Sequence, residues 1–146
     1  MGYKFIKLLG KGSYGSVYLA QRESDLGTDE YVAIKKFYMN DKNSYKSFKN
    51  EVKILKRIKS DYLIKILDYY KDSKYMYMVM EYAPMGDLEE YIRSMYQKKS
   101  TISNKFFDTV IYQIKEGLNI LHQEKIIHRD IKTSNILIFN NNLVKI

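Results

Sequence analysis

The sequence predicts an α+β chain in two parts, a small antiparallel sheet carrying one helix, then a mostly helical part. Three observations predict it. Short runs rich in β-branched and aromatic residues, bounded by glycine or polar turns, fill most of the stretch before residue 82. One run of helical periodicity, through Phe48, Val52, Leu55 and Ile58, interrupts them. The only proline, Pro84, then marks a boundary, because proline resists both a helix interior and a central strand.

The elements follow in order. Residues 3–9 form a strand, "GKGSYG" breaks it, and residues 17–21 resume it with alternation, giving a hairpin around a glycine loop. "ESDLGTDE" is a polar turn, and residues 31–39 make a third strand. The helix through Phe48 follows. Strands at 64–70 and 75–80 are joined by the turn "KDSK". Beyond Pro84 a short helix spans about residues 87–93, with Asp87 favouring its N-terminus. A long helix starts near Ser103, a good N-cap, and Phe107, Val110, Ile111, Ile114, Leu118 and Leu121 are its expected buried stripe. A short hairpin through the asparagines at 140–142 ends the chain.

Composition narrows the class. No apolar run reaches ~18 residues and the N-terminus has no signal-peptide core, so no membrane span is expected. The chain has no cysteine, which excludes disulfides and thiolate chemistry and fits an intracellular, cytoplasmic location. The net charge is +8, but it is mostly lysine spread along the chain rather than arginine in blocks. That pattern fits a solvated basic surface better than a nucleic-acid site, and no nucleic acid is expected as a partner.

Four constellations carry chemistry. "LGKGSYGSVYLA" fits G-x-G-x-x-G-x-V through Gly10, Gly12, Gly15 and Val17. Glycines let the backbone approach a phosphate and donate N–H groups to it. A dinucleotide fingerprint needs a helix directly after the glycines, and here a strand follows. In "VAIK" the period of two puts Ala33 and Lys35 on one side, which suits a flat ring beside phosphates; two surface lysines on an edge strand is the alternative. Glu51 is the only carboxylate between Lys42 and Ser60, at the edge of the apolar stripe. The residues three and four positions away, Ser47, Phe48, Ile54 and Leu55, are not basic, which favours a cation from outside the helix, with Lys35 the candidate; an ordinary surface pair within the helix is the alternative. Last comes the polar patch His128, Arg129, Asp130, Lys132 and Asn135 on a loop. A carboxylate there can accept a hydroxyl proton, an amide oxygen can ligate Mg2+, and a lysine can neutralise a transferring phosphoryl group. A solvated polar loop is the plain alternative.

Taken together and in this order, the four pieces resemble the signature set of eukaryotic protein kinases over essentially the whole chain. The resemblance implies a two-lobed protein-kinase-like fold, with an N-lobe at 1–83 and a partial C-lobe at 84–146. It implies that Gly10, Gly12 and Gly15, with Lys11 and Ser13 between them, form a lid over the phosphates of ATP. Val17 and Ala33 would cover the adenine, with Leu137 as its floor. Lys35 would hold the α- and β-phosphates and pair with Glu51. Met80 matches the gatekeeper, Glu81 and Ala83 the hinge, and Asp87 a ribose contact. Asp130 would be the catalytic base, Lys132 the γ-phosphate contact and Asn135 a ligand of Mg2+. Lys132, two residues after Asp130, is similar to serine/threonine kinases, so a protein serine or threonine is the implied acceptor. Thr133 departs from the usual proline. "GDL" at 86–88 and "HRDIKTSNIL" resemble NIMA-related kinases. Arg129 matches kinases activated by phosphorylation of a later loop, and His128 a buried packing position with Leu55 and Ile66. Ser13 and Tyr14 resemble an inhibitory phosphorylation pair, though small polar and aromatic residues are also ordinary at that tip.

A whole domain of this kind runs to ~250 residues. The strand "LVKI" ends the chain where the resemblance expects Asp-Phe-Gly. The expectation is an N-terminal kinase fragment that is a poor enzyme alone and exposes apolar surface on its long helix. Two other classes stand beside it, a nucleotide-binding pseudokinase or scaffold, and a basic interaction module.

Overall fold

The computed structural model describes residues 2–12, 15–39 and 42–146, without the side chains of residues 42–44 and 47. The chain divides into two compact units, Met1–Ile58 with Lys65–Tyr82, and Lys59–Ile64 with Ala83–Ile146.

The first unit is a five-stranded sheet with one helix. Strands β1 (Tyr3–Gly12), β2 (Gly15–Arg22), β3 (Val32–Tyr38), β4 (Ile66–Lys71) and β5 (Tyr75–Glu81) pair in the order β1-β2-β3-β5-β4, every pair antiparallel. Directly opposed residues share a face, so the register sorts the side chains. One face gathers Ala20, Val32, Ile34, Tyr77 and Val79 into a buried cluster roofed by Tyr3, Leu67, Tyr70 and Tyr75. No helix is needed there, because the tyrosines cover the sheet themselves. Tyr70 stacks on Tyr77 at 4.5 Å and on Tyr3 at 5.8 Å. Burial pushes the Tyr70 hydroxyl up to about 12.

The other face takes helix α1 (Lys42–Arg57). Phe48 and Val52 are buried, and Phe48 packs on Phe37 at 5.4 Å and Tyr69 at 6.4 Å. The expected stripe is one residue too long. Helix α1 stops at Arg57, and Ile58 lies in the turn that follows, its N–H donating to the Leu55 carbonyl at 3.2 Å.

The second unit holds α2 (Leu88–Gln97), α3 (Asn104–Gln123) and the hairpin β6 (Leu137–Ile138) with β7 (Val144–Lys145). Both helices begin on side-chain caps. Asp87 Oδ1 accepts from the Glu90 N–H at 2.8 Å, and Ser103 Oγ from the Phe106 N–H at 3.2 Å. Asn141 and Asn142 sit at φ 60° and 57° in the hairpin turn, a backbone that asparagine tolerates. Residues 59–64, expected with the first half, belong here. The Ile64 N–H donates to Ile146 O at 2.9 Å, and the Ile146 N–H to Tyr62 O at 3.1 Å.

The buried face of α3 differs from the expected one. Phe106, Val110, Gln113, Gly117 and Leu121 face inward. Phe107 is 37% exposed and Ile111 63%, and Ile111, Ile114 and Leu118 line an open apolar hollow with His122. Two features set the roll of the helix. A Cβ at Gly117 would stand 2.9 Å from the Tyr62 carbonyl oxygen, so only glycine allows that approach. Gln113 is buried because it satisfies backbone groups, donating from Nε2 to Asn142 O at 3.0 Å and accepting at Oε1 from the Val144 N–H at 2.7 Å. Val110 and Leu121 of the expected stripe are buried, while Phe107 and Ile111 are not. Among the described residues no helix is long and apolar enough to cross a membrane.

Candidate active site

The glycine loop joins β1 to β2, and Gly12 faces Gly15 across the hairpin while Gly10 faces Val17. Among the described residues, a Cβ at Gly10 or Gly12 would meet nothing within 4 Å, so these positions leave backbone open to a ligand. Gly15 is different. It sits at φ 140°, and a Cβ there would run into the Lys36 carbonyl oxygen. Lys11 is exposed beside them. Ser13, like Tyr14, lies outside the described residues.

The register brings four candidates to one face of the sheet. Val17 opposes Lys35, and Ala33 opposes Met80. Alternation along β3 keeps Ala33 and Lys35 together. Ala33 is buried, while Val17, Lys35 and Met80 are half-buried. That row offers a flat apolar floor with an ammonium at one end.

The expected Lys35–Glu51 pair is not formed. Glu51 is exposed, and the ion pairs within 4 Å among the described residues are Arg93–Glu89 and Lys132–Asp130. The Lys35 Nζ lies 5.1 Å from the centroid of the Phe37 ring. The cause is the roll of α1. Phe48 and Val52 turn toward Phe37 and the sheet, and Glu51 lies off that face.

Glu81 and Ala83 come next along the chain. Glu81 exchanges backbone and side-chain bonds with Lys65, donating to its carbonyl at 3.1 Å and accepting its N–H at Oε1 at 2.8 Å. Ala83 is buried and its carbonyl accepts from the Gly86 N–H at 3.3 Å. Asp87 caps α2 through Oδ1 and bridges Leu137 through its backbone.

The polar patch closes on itself. Lys132 Nζ stands 3.3 Å from Asp130 Oδ2. Asn135 Nδ2 donates to Asp130 Oδ2 at 2.8 Å and to the Asp130 carbonyl at 2.9 Å. The Asp130 N–H reaches His128 Nδ1 at 3.4 Å. Arg129 turns the chain at φ 67°, and a short 3-10 turn at Thr133–Asn135 brings the amide back. The lysine and then the amide hold the Asp130 carboxyl below its ordinary value of 3.8. With Nδ2 committed to Asp130, the Asn135 Oδ1 is left as a hard oxygen ligand. Among the described residues no three His, Cys, Asp or Glu side chains gather as a metal site. A single amide oxygen beside a carboxylate fits a hard cation such as Mg2+ in donor type.

The sequence profile of the protein kinase domain matches residues 3–146. The chain belongs to the protein kinase domain family. The chain is also similar to the NUAK family SNF1-like kinase 2 of Homo sapiens, 33% identical over 144 residues, covering 99% of this chain and 22% of that protein. The Aurora kinase of Yarrowia lipolytica is 34% identical over 140 residues, covering 96% of this chain and 37% of its own length. The serine/threonine-protein kinase PLK4 of Aedes aegypti is 32% identical over 147 residues, 99% of this chain and 18% of the relative. The chain thus spans between about a fifth and two fifths of the length of these relatives. The kinase fold is the one expected, a five-stranded antiparallel sheet with one helix followed by a helical part.

Gln113 is the residue of this kinase domain that sequence reasoning missed. It ties α3 to the hairpin that carries Leu137, two residues after Asn135. A glutamine among the aliphatic residues of a helical stripe was the available signal.

Proposed function

We propose that this chain acts as a serine/threonine protein kinase domain, moving the γ-phosphoryl group of ATP to a serine or threonine hydroxyl of a protein. The observation that carries the reading is the closed cluster of Asp130, Lys132 and Asn135, in which an ammonium and an amide both converge on one carboxylate. Asp130 accepts the proton as the substrate oxygen bonds to the γ-phosphorus and the bond to the bridging β–γ oxygen breaks, releasing ADP. Lys132 neutralises the γ-phosphoryl oxygens. When its ammonium turns from Asp130 to the phosphate, the carboxyl loses the contact that most lowers its pKa and becomes a better base. Lys35 binds the α- and β-phosphates, and Gly10, Gly12 and Gly15 admit them to the backbone N–H groups. In the sheet unit Val17, Ala33 and Met80 would meet the adenine with the backbone of Glu81; in the other unit the roles proposed are adenine contact for Leu137 and the Ala83 backbone, and ribose contact for Asp87. Asn135 would offer its side-chain oxygen to Mg2+, which would supply charge neutralisation when bound.

One observation keeps a second reading in play. Kinase turnover needs the lysine–glutamate pair in place, and Glu51 stands away from Lys35, which suits a nucleotide-binding scaffold. Calorimetric ATP binding with Mg2+ and phosphotransfer to a serine-containing protein separate the readings. A kinase binds ATP, loses binding in Lys35→Met, and loses transfer but keeps binding in Asp130→Asn. ATP binding without transfer in the parent chain supports the scaffold. Binding of ATP indifferent to Lys35→Met overturns both.

A further inference from the structure

Two oppositely charged surfaces lie on the sheet-and-helix unit, and the proposed reaction uses neither. The first is the connection from β2 to β3. Residues 23–30 carry four carboxylates, Glu23, Asp25, Asp29 and Glu30, and no basic side chain. The connection is a built knob. Gln21, 7% exposed, donates from Nε2 to the carbonyls of Asp25 at 2.9 Å and Thr28 at 2.7 Å. Thr28 Oγ1 donates to the Asp25 carbonyl at 2.7 Å and accepts the Glu30 N–H at 3.1 Å. Leu26 stands 48% exposed among the acids.

The second surface is on α1, which carries five lysines and Arg57 against the single acid Glu51. Lys46, Lys49, Lys53 and Lys56 recur at three- and four-residue steps and so form one row. Lys46, Lys53, Lys56 and Arg57 are exposed. Neighbours of like charge at this spacing destabilise a helix, and an anionic partner relieves that. Ile54, 40% exposed, lies beside Lys53 in sequence and one turn from Arg57. Among the described residues, no ion pair within 4 Å engages either surface.

We propose that the acidic knob of one copy of this chain docks on the lysine row of a second copy. The surfaces match in sign, each has an exposed aliphatic residue among its charges, and a pre-formed knob loses little freedom on docking. Each copy offers one of each surface, so the contact is head-to-tail and builds rings or short chains, not a closed face-to-face dimer. The net charge of +8 opposes association. At about 0.1 M salt the screening length is about 10 Å, so whole-molecule repulsion fades while contacts at a few ångströms persist; at about 1 M the contacts are screened too.

Sedimentation velocity on the full chain tests this, with a knob-reversed variant, Asp29→Lys with Glu30→Lys, and a row-reversed variant, Lys46→Glu with Lys53→Glu. The substituted residues are exposed and outside the proposed catalytic set, and circular dichroism checks that both variants fold. The expected result is a concentration-dependent mass of two copies or more at about 0.1 M salt and a monomer at about 1 M. Each variant alone is monomeric, and an equimolar mixture associates again, because the intact knob of one meets the intact row of the other. A parent chain that is monomeric throughout overturns the proposal. So does a mixture that stays monomeric, or association surviving in both variants and at high salt, which assigns it to the exposed face of α3.

Discussion

The polar loop around Asp130 and helix α1 hold their polar groups in different ways. Asp130, Lys132 and Asn135 are close in sequence, and a left-handed turn at Arg129 and a 3-10 turn bring them into contact through bonds of the loop itself. Glu51 and Lys35 sit on separate elements, and whether they meet depends on how α1 rolls on the sheet. The aromatic packing of Phe48 on Phe37 and Tyr69 sets that roll, and it leaves Glu51 exposed. A site built from local turns is organised before its ligand arrives. A site built across a helix–sheet contact opens or closes only as the helix rolls, and so can be regulated.

The largest expected effect breaks the loop. On the proposed kinase reading, Asp130→Asn keeps the shape and removes the proposed base, and initial rates of phosphotransfer should fall about 10²- to 10⁴-fold while ATP affinity measured by calorimetry holds. Equal loss of ATP binding would mean that the cluster holds nucleotide rather than performs the transfer. The matching change on the other side is Glu51→Gln. Because the pair is open at rest, the melting temperature and ATP affinity stay unchanged, while turnover drops on the order of tenfold or more as the closed arrangement loses its charged bond. A fall in resting stability would show that Glu51 already has a structural partner.

Sequence patterns reached the sheet and the loop because both are local. Alternation in "VAIK" placed Ala33 and Lys35 on one face, where the register now puts Val17 and Met80 as well. The residue types His128, Arg129, Asp130, Lys132 and Asn135, close together on one loop, mark a polar patch in the sequence. The positive φ of Arg129 that closes it left no mark in the residue types. Contacts between elements were less legible. The edge position of Glu51 was visible, but not the roll that turns it outward. On α3, apolar residues occupy more than one face, and the deciding ones are a glycine and a glutamine, Gly117 and Gln113, which a hydrophobic pattern does not weigh.

Gln113 gives the next prediction in size. Gln113→Ala strands the Val144 N–H and the Asn142 carbonyl in a buried place, and the cost in unfolding free energy is about 1–3 kcal/mol by chemical denaturation. Hydrogen exchange at Val144 should accelerate more than at Ile34 in the sheet unit. Uniform acceleration would mean that the two units unfold as one. Asp87→Ala should cost about 1 kcal/mol through loss of the α2 cap, much as Ser103→Ala does for α3. On the proposed function, which puts Asp87 at the ribose, only the Asp87 change should also weaken ATP binding.

The smallest effect concerns the charge inside the loop. The carboxyl of Asp130 titrates below its ordinary value of 3.8 because Lys132 and Asn135 bond the charged form. A carboxyl with a depressed folded pKa adds stability above the unfolded value, and that contribution is lost as pH falls through the folded one. The window therefore lies below pH 3.8, and at neutral pH the contribution is fully present. Both side chains are about half exposed, so water screens the pair and the effect on overall stability is slight. The sharper readout is the titration itself, followed by carboxyl carbon shifts in NMR. Lys132→Ala removes the largest cause and should raise the Asp130 midpoint, with Asn135→Ala raising it less. An unchanged midpoint in both variants would mean that the loop does not hold its charges by these bonds, and the contrast with the open Lys35–Glu51 pair would fall with it.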